Sequence, residues 1–235
     1  MIDSLRLSDN LVLLAHETTA LVRTAAGLDD GSLRAATLCE GWTRAHVLSH
    51  LARNADALGN LVSWAVTGKP VAMYESAQAR AADIEAGSIR SAEAIFADLQ
   101  ESAARFATAA TGLAGPAAHS EVEMRAGRTV LGGQLPTLRL MEVVFHHVDL
   151  GAGFTFDDAD PGFVRRAIAN AVRRMTTGGQ HPGLSLQGDK GDLWSMGNGA
   201  QEVTGTNAAL LLWLARGDAG GLQSENALPA LPAWG

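Results

Sequence analysis

The sequence predicts an α+β protein, with a four-helix bundle over residues 1–154 followed by a small α/β domain over residues 155–235. Three observations carry this prediction. Before residue 154, four stretches repeat apolar residues at intervals of three and four, the spacing of one helix face. The segment FTFDDADPG then breaks the pattern as a linker does. Beyond it, short alternating runs separated by glycine carry the period of strands.

The first helix is expected from Ser8 to Ala26, with Leu11, Leu14, Leu21 and Val22 at helical spacing and Ser8 as a cap. The second is expected from Thr43 to Thr67. Thr43 is a suitable N-cap, Trp42 and Val47 have the spacing of a hydrophobic staple, and Gly68-Lys69-Pro70 stops the helix. The polar stretch MYESAQARAADIEAGS follows, read as a connection. A third helix is expected from Ser88 to Ala110, with Ile89, Ile95, Phe96, Leu99 and Phe106 as core candidates. Gly112 to Gly133 reads as a long loop with extended stretches. The fourth helix begins near Pro136, a good first-turn residue, and ends at Gly151 to Gly153. In the second domain, Pro161 to Met175 is predicted helical, strands are predicted around Leu184, Asp192 and Gln201, and Thr206 caps a last apolar helix from Asn207 to Arg216.

Composition narrows the function. A chain of 235 residues, 47% hydrophobic, can bury a sizeable core. It holds no run of 18 apolar residues, so a membrane span is not expected. The opening MIDSLRLSDN lacks the basic and apolar segments of a secretory leader. One cysteine, Cys39, excludes an internal disulfide and suits a reducing, cytoplasmic setting. Eighteen basic against 25 acidic residues give a net charge of −7 with no basic cluster, which argues against nucleic-acid binding. Arginines outnumber lysines heavily, and arginine suits planar carboxylates, so a small anionic partner fits.

The fourth helix reads LRLMEVVFHHVDLG. Glu142 and His146 lie one turn apart on one face and can share a metal ion. On the second helix, His50 falls on the inward stripe with Val47, Leu51, Asn54 and Leu58. Two histidines and a carboxylate leave a coordination position open, as catalytic sites do. The competing reading makes His50 a hydrogen-bonded core residue and the Glu142–His146 pair a chance spacing. His147 is expected to pack with Val143 and Leu150. His46 either lines the same cavity or sits on the helix surface, and His16, His119 and His181 have no partner at useful spacing.

Three stretches, EGWTRAHVLSHLARNADAL, MYESAQARAADIEAGS and EVVFHHVDLG, with a weaker match in VTGTNAALLLWLARG, resemble the mycothiol-dependent maleylpyruvate isomerase family, built on a DinB-like metal-binding bundle. The resemblance implies a metal triad of His50, Glu142 and His146, holding Zn²⁺ or another divalent ion. It implies an active-site arginine from the C-terminal domain, for which Arg216 fits best; the alternative is an arginine that pairs with helix-terminal carbonyls. Tyr74 and Arg80 line the cleft or pack on the surface, and Asp149 either orients a ligand histidine or caps its helix. The implied cofactor is mycothiol. The implied partners are a small anionic substrate and a low-molecular-weight thiol, with a monomer as the working state.

The implied reaction is the cis–trans isomerisation of maleylpyruvate to fumarylpyruvate, in aromatic catabolism through gentisate. A thiolate adds to the activated double bond, the resulting single bond rotates, and the thiolate leaves. The chain has only one cysteine, so an external thiol supplies the nucleophile. A mycothiol S-transferase on the same bundle, a non-haem iron oxygenase and a non-catalytic binding member are the competing functions.

Overall fold

The computed structural model describes residues 4–178 and 182–231. The architecture is α+β. The chain divides into two compact units, Met1–Gly153 and Phe154–Gly235.

The first unit is built on four long helices, α1 (Ser4–Ala26), α2 (Arg44–Thr67), α4 (Ala92–Ala110) and α5 (Leu135–Asp149), with the shorter α3 (Ala77–Ser88) against α2. Helix α2 is the centre of the unit, packing on α3, α4 and α5, while α1 packs on α4 and α5. The inward stripe expected on α2 is buried throughout: Val47, His50, Leu51, Asn54 and Leu58 are all inside. Gly68 closes α2 in the left-handed conformation, at φ 70°, a conformation open to glycine without strain. The stretch from Gly112 to Gly133 contains 3-10 turns and one antiparallel ribbon, β1 (Glu121–Glu123) with β2 (Thr129–Leu131).

Three expectations need correction. Helix α1 starts at Ser4, four residues before Ser8. The polar stretch after Pro70 contains α3, which buries only Ile84 and Ser88, too few to print an apolar period. It is held instead by the Ser76 cap, whose Oγ accepts from Ala79 N–H at 2.9 Å, and by packing on α2. The third predicted helix begins at Ala92 rather than Ser88, because Ser91 caps a fresh start. Ile89 therefore falls between two helices and is 73% exposed, not core, and Phe96 is only partly buried.

Glycine permits the contact that matters most. A Cβ on Gly87 would lie 2.9 Å from the Ser49 side chain, so α3 approaches α2 this closely only with glycine there. Ser49 precedes His50.

In the second unit, α6 (Pro161–Thr177) and α7 (Asn207–Arg216) pack together beside a three-stranded sheet. Its order is β4 (Leu193–Met196), β3 (Leu184–Gly188), β5 (Gln201–Gly205), with β3 antiparallel to β4 and parallel to β5. Thr206 caps α7, its hydroxyl accepting from Ala209 N–H at 3.0 Å. No helix among the described residues is long and apolar enough to cross a membrane.

Candidate metal centre

Two arginines tie α2 to α5 and set the distance between the facing side chains. Arg44, in the first turn of α2, donates to Leu150 O and Gly151 O, both at 2.7 Å, and so caps the end of α5. Arg139, in α5, is fully buried and donates through Nη1 to Leu51 O and Asn54 Oδ1, both at 2.8 Å. Burial pulls the Arg139 guanidinium down to about 10, against the attraction of Glu142. Sequence reading missed this residue, although a charge inside LPTLRLMEVV is the signal that marks it.

Between these ties, His50 of α2 meets Glu142 and His146 of α5. His50 Nε2 lies 2.9 Å from Glu142 Oε2, and His146 Nε2 lies 3.4 Å from the same oxygen. One donor atom from each of the three falls within 4.8 Å of the others. A tetrahedral zinc ion with bonds of about 2.0–2.1 Å spaces its ligand atoms roughly 3.3 Å apart. The donor set and the spacing both suit a divalent cation. The His50 and His146 rings meet edge to face at 4.8 Å between centroids, and the Trp42 indole covers both, 5.3 Å from His50 and 6.4 Å from His146. The Trp42 ring also stacks beside His46, at 6.5 Å between centroids.

The surroundings divide the protons unevenly. Burial pushes His50 down to about 4, so it is neutral. Burial opposes ionisation of Glu142, but His146 and His50 outweigh it and hold the carboxyl well below the usual range. Burial also opposes charge on His146, yet hydrogen bonds to Asp149, Cys39 and Glu142 hold it well above the usual histidine value.

The remaining predicted residues sort clearly. Asp149 accepts from His146 Nδ1 at 2.8 Å, and from the Cys39 thiol at 3.3 Å. Cys39, His146 and Asp149 form a second close group of donors, sharing His146 with the first. Cys39 arrives because the loop before α2 binds the end of α5, Leu38 N–H donating to Asp149 O at 3.1 Å. Arg80 of α3 donates to His50 Nδ1 at 3.1 Å, and its guanidinium carbon stands 5.6 Å from the Tyr74 ring centroid. His46 belongs to the cap of α2: its Nδ1 accepts from Thr43 N–H at 3.2 Å, and its Nε2 faces Glu85 at 3.2 Å. His147 is buried and bonds the Thr24 hydroxyl through Nε2 at 2.7 Å. His16 is 3.6 Å from Glu17, His119 is exposed, and His181 lies outside the described residues. Arg216 is the last residue of α7, in the second unit, where its Nη1 donates to Ala215 O at 2.9 Å.

Comparison with known proteins adds to this geometry. The family model described as the mycothiol maleylpyruvate isomerase N-terminal domain matches residues 14–151. A crystal structure of the mycothiol-dependent maleylpyruvate isomerase is similar over 97% of both chains, at 32% identity and a TM-score of 0.90. A crystal structure of a variant of the mycothiol-dependent maleylpyruvate isomerase, with a histidine replaced by alanine, is similar over 97% of both chains, at 31% identity and a TM-score of 0.89. No curated protein sequence matches the chain. With a family model spanning more than half of its length and whole-chain likeness above 30% identity, the chain belongs to the mycothiol maleylpyruvate isomerase family.

Proposed function

We infer that the protein isomerises maleylpyruvate to fumarylpyruvate with mycothiol as the thiol, in gentisate catabolism, and that His50, Glu142 and His146 hold a divalent ion, Zn²⁺ by preference. One observation carries the reading: His50 and Glu142, 92 residues apart on two helices, come together with His146, one donor atom of each within 4.8 Å of the others. Three protein ligands leave a fourth position for an exogenous group. When bound, the ion supplies the Lewis acidity that keeps the mycothiol sulfur deprotonated, and that sulfur supplies reversible addition to the conjugated double bond.

The chain's own residues do the rest. His50 and His146 present neutral nitrogens, and Glu142 one negative charge, so the loaded triad keeps a net charge near +1 and attracts an anion. Asp149 holds the proton on His146 Nδ1 and so aims Nε2 inward. Trp42 shields the two imidazoles. Arg216 is assigned to a carboxylate of the substrate, or to charge developing on its carbonyl. The free thiol of Cys39 and a thiol co-reactant suit a reducing compartment, the cytoplasm.

The test is metal analysis of the purified protein, then an isomerase assay with and without mycothiol. Activity that needs both metal and thiol, and returns the thiol unconsumed, supports the reading. Full activity after chelation ends it, and consumption of the thiol points to S-transfer instead.

A further inference from the structure

Arg80 Nη2 stands 3.1 Å from His50 Nδ1. A guanidinium has donors only. His50 Nδ1 therefore accepts, and the single proton of this ring sits on Nε2, 2.9 Å from the Glu142 oxygen that receives it. Yet Nε2 is the nitrogen that faces Glu142 and His146, the one a cation in the triad would need bare. For Nε2 to become a ligand, the ring proton must move to Nδ1. There it would oppose an Arg80 N–H across 3.1 Å, donor against donor.

We propose that Arg80 and the divalent cation exclude each other at His50: without metal, Arg80 locks His50 in the tautomer that cannot bind a cation, and loading the site releases the guanidinium to take a carboxylate of the incoming anion. The proposal rests on the metal triad read above and concerns its order of assembly. Arg80 is suited to release. Its partners include an imidazole lone pair and Tyr74, through ring face and hydroxyl, neither of them an anion. Among the described residues no carboxylate forms an ion pair with it. It sits on α3, which the Gly87–Ser49 approach brings against the turn of α2 that carries His50. A guanidinium freed beside a bound cation is a planar fork matched to a carboxylate.

The experiment measures Zn²⁺ affinity of wild type and Arg80→Met by competition with a chromogenic chelator. It also reads the His50 tautomer from ring ¹⁵N shifts in the wild type, a readout that no variant can spoil. The expected result is roughly tenfold tighter zinc binding in R80M, because one charge-assisted hydrogen bond no longer has to break. The His50 proton is expected on Nε2 without zinc and on Nδ1 with it. Maleate, as a dicarboxylate probe, is expected to bind zinc-loaded R80M at least about tenfold more weakly than zinc-loaded wild type. A wild type that takes up no zinc overturns the metal reading and this proposal together. A wild type that takes up zinc while R80M binds it no more tightly, or a zinc-free His50 protonated on Nδ1, overturns the exclusion alone. Equal maleate binding overturns the carboxylate role.

Discussion

Asp149 Oδ2 lies 2.8 Å from His146 Nδ1, one turn along the same helix, and this bond decides which nitrogen of His146 looks at Glu142. The carboxylate is 1% exposed. A buried acceptor of this kind fixes both the ring's proton and its orientation. Asp149→Asn keeps the shape and removes the charge. Zinc affinity should fall by about 10–100-fold, read by chelator competition, with the helical circular dichroism unchanged. Unaltered affinity would deny Asp149 its orienting role.

His50 is the one member of the triad from α2, so its loss leaves only the i, i+4 pair on α5. His50→Ala should lose metal by more than about 100-fold in affinity, beyond the effect of an outer partner. Isomerase activity should disappear with it. Elemental analysis after dialysis checks the first outcome and product formation the second.

The metal-free site carries a proton on His146, while His50 is already neutral and Glu142 already ionised. A cation needs His146 Nε2 bare, so uptake near neutral pH should release about one proton per ion. The sign follows from the raised pKa: affinity climbs as pH rises towards that value and levels off above it. Calorimetric zinc titrations in two buffers of different ionisation enthalpy count the proton. A count of zero would show that the site is not protonated as described.

In the proposed function Arg216 serves the substrate and not the metal. Arg216→Ala should keep its zinc and lose about 10²–10³ in kcat, the size of a missing charge-stabilising donor. Loss of metal together with turnover would overturn the assignment.

Ile89 and Leu99 separate the two ends of the misplaced third helix. Ile89 is 73% exposed and Leu99 is 1% exposed. Ile89→Ala should change unfolding free energy by less than about 0.5 kcal/mol, whereas Leu99→Ala should cost about 2–5 kcal/mol. Urea denaturation followed by circular dichroism measures both.

Legibility in the sequence followed burial. Helices α1, α2, α4 and α5 each bury a stripe, and each stripe prints its period in the text. Helix α3 buries two residues and prints none. Carrying the third helix back through the gap between α3 and α4 placed Ile89 in the core, because a periodic pattern does not announce a short break, here one where α3 ends at Ser88 and Ser91 caps a fresh start.

By itself the sequence determined which residues share a helix face. Glu142 and His146 are one turn apart by arithmetic, and His50 belongs to the inward side of its helix, because a 3.6-residue period is a local property of the backbone. Only the tertiary structure decided that the two faces meet, that Trp42 covers the imidazoles, and that Arg80, Cys39 and Asp149 hold the remaining ring nitrogens. Those contacts join residues up to 110 positions apart. They depend on how closely helices pack, through Gly87 against Ser49 and through Arg44 and Arg139 across α2 and α5, and no local period encodes that.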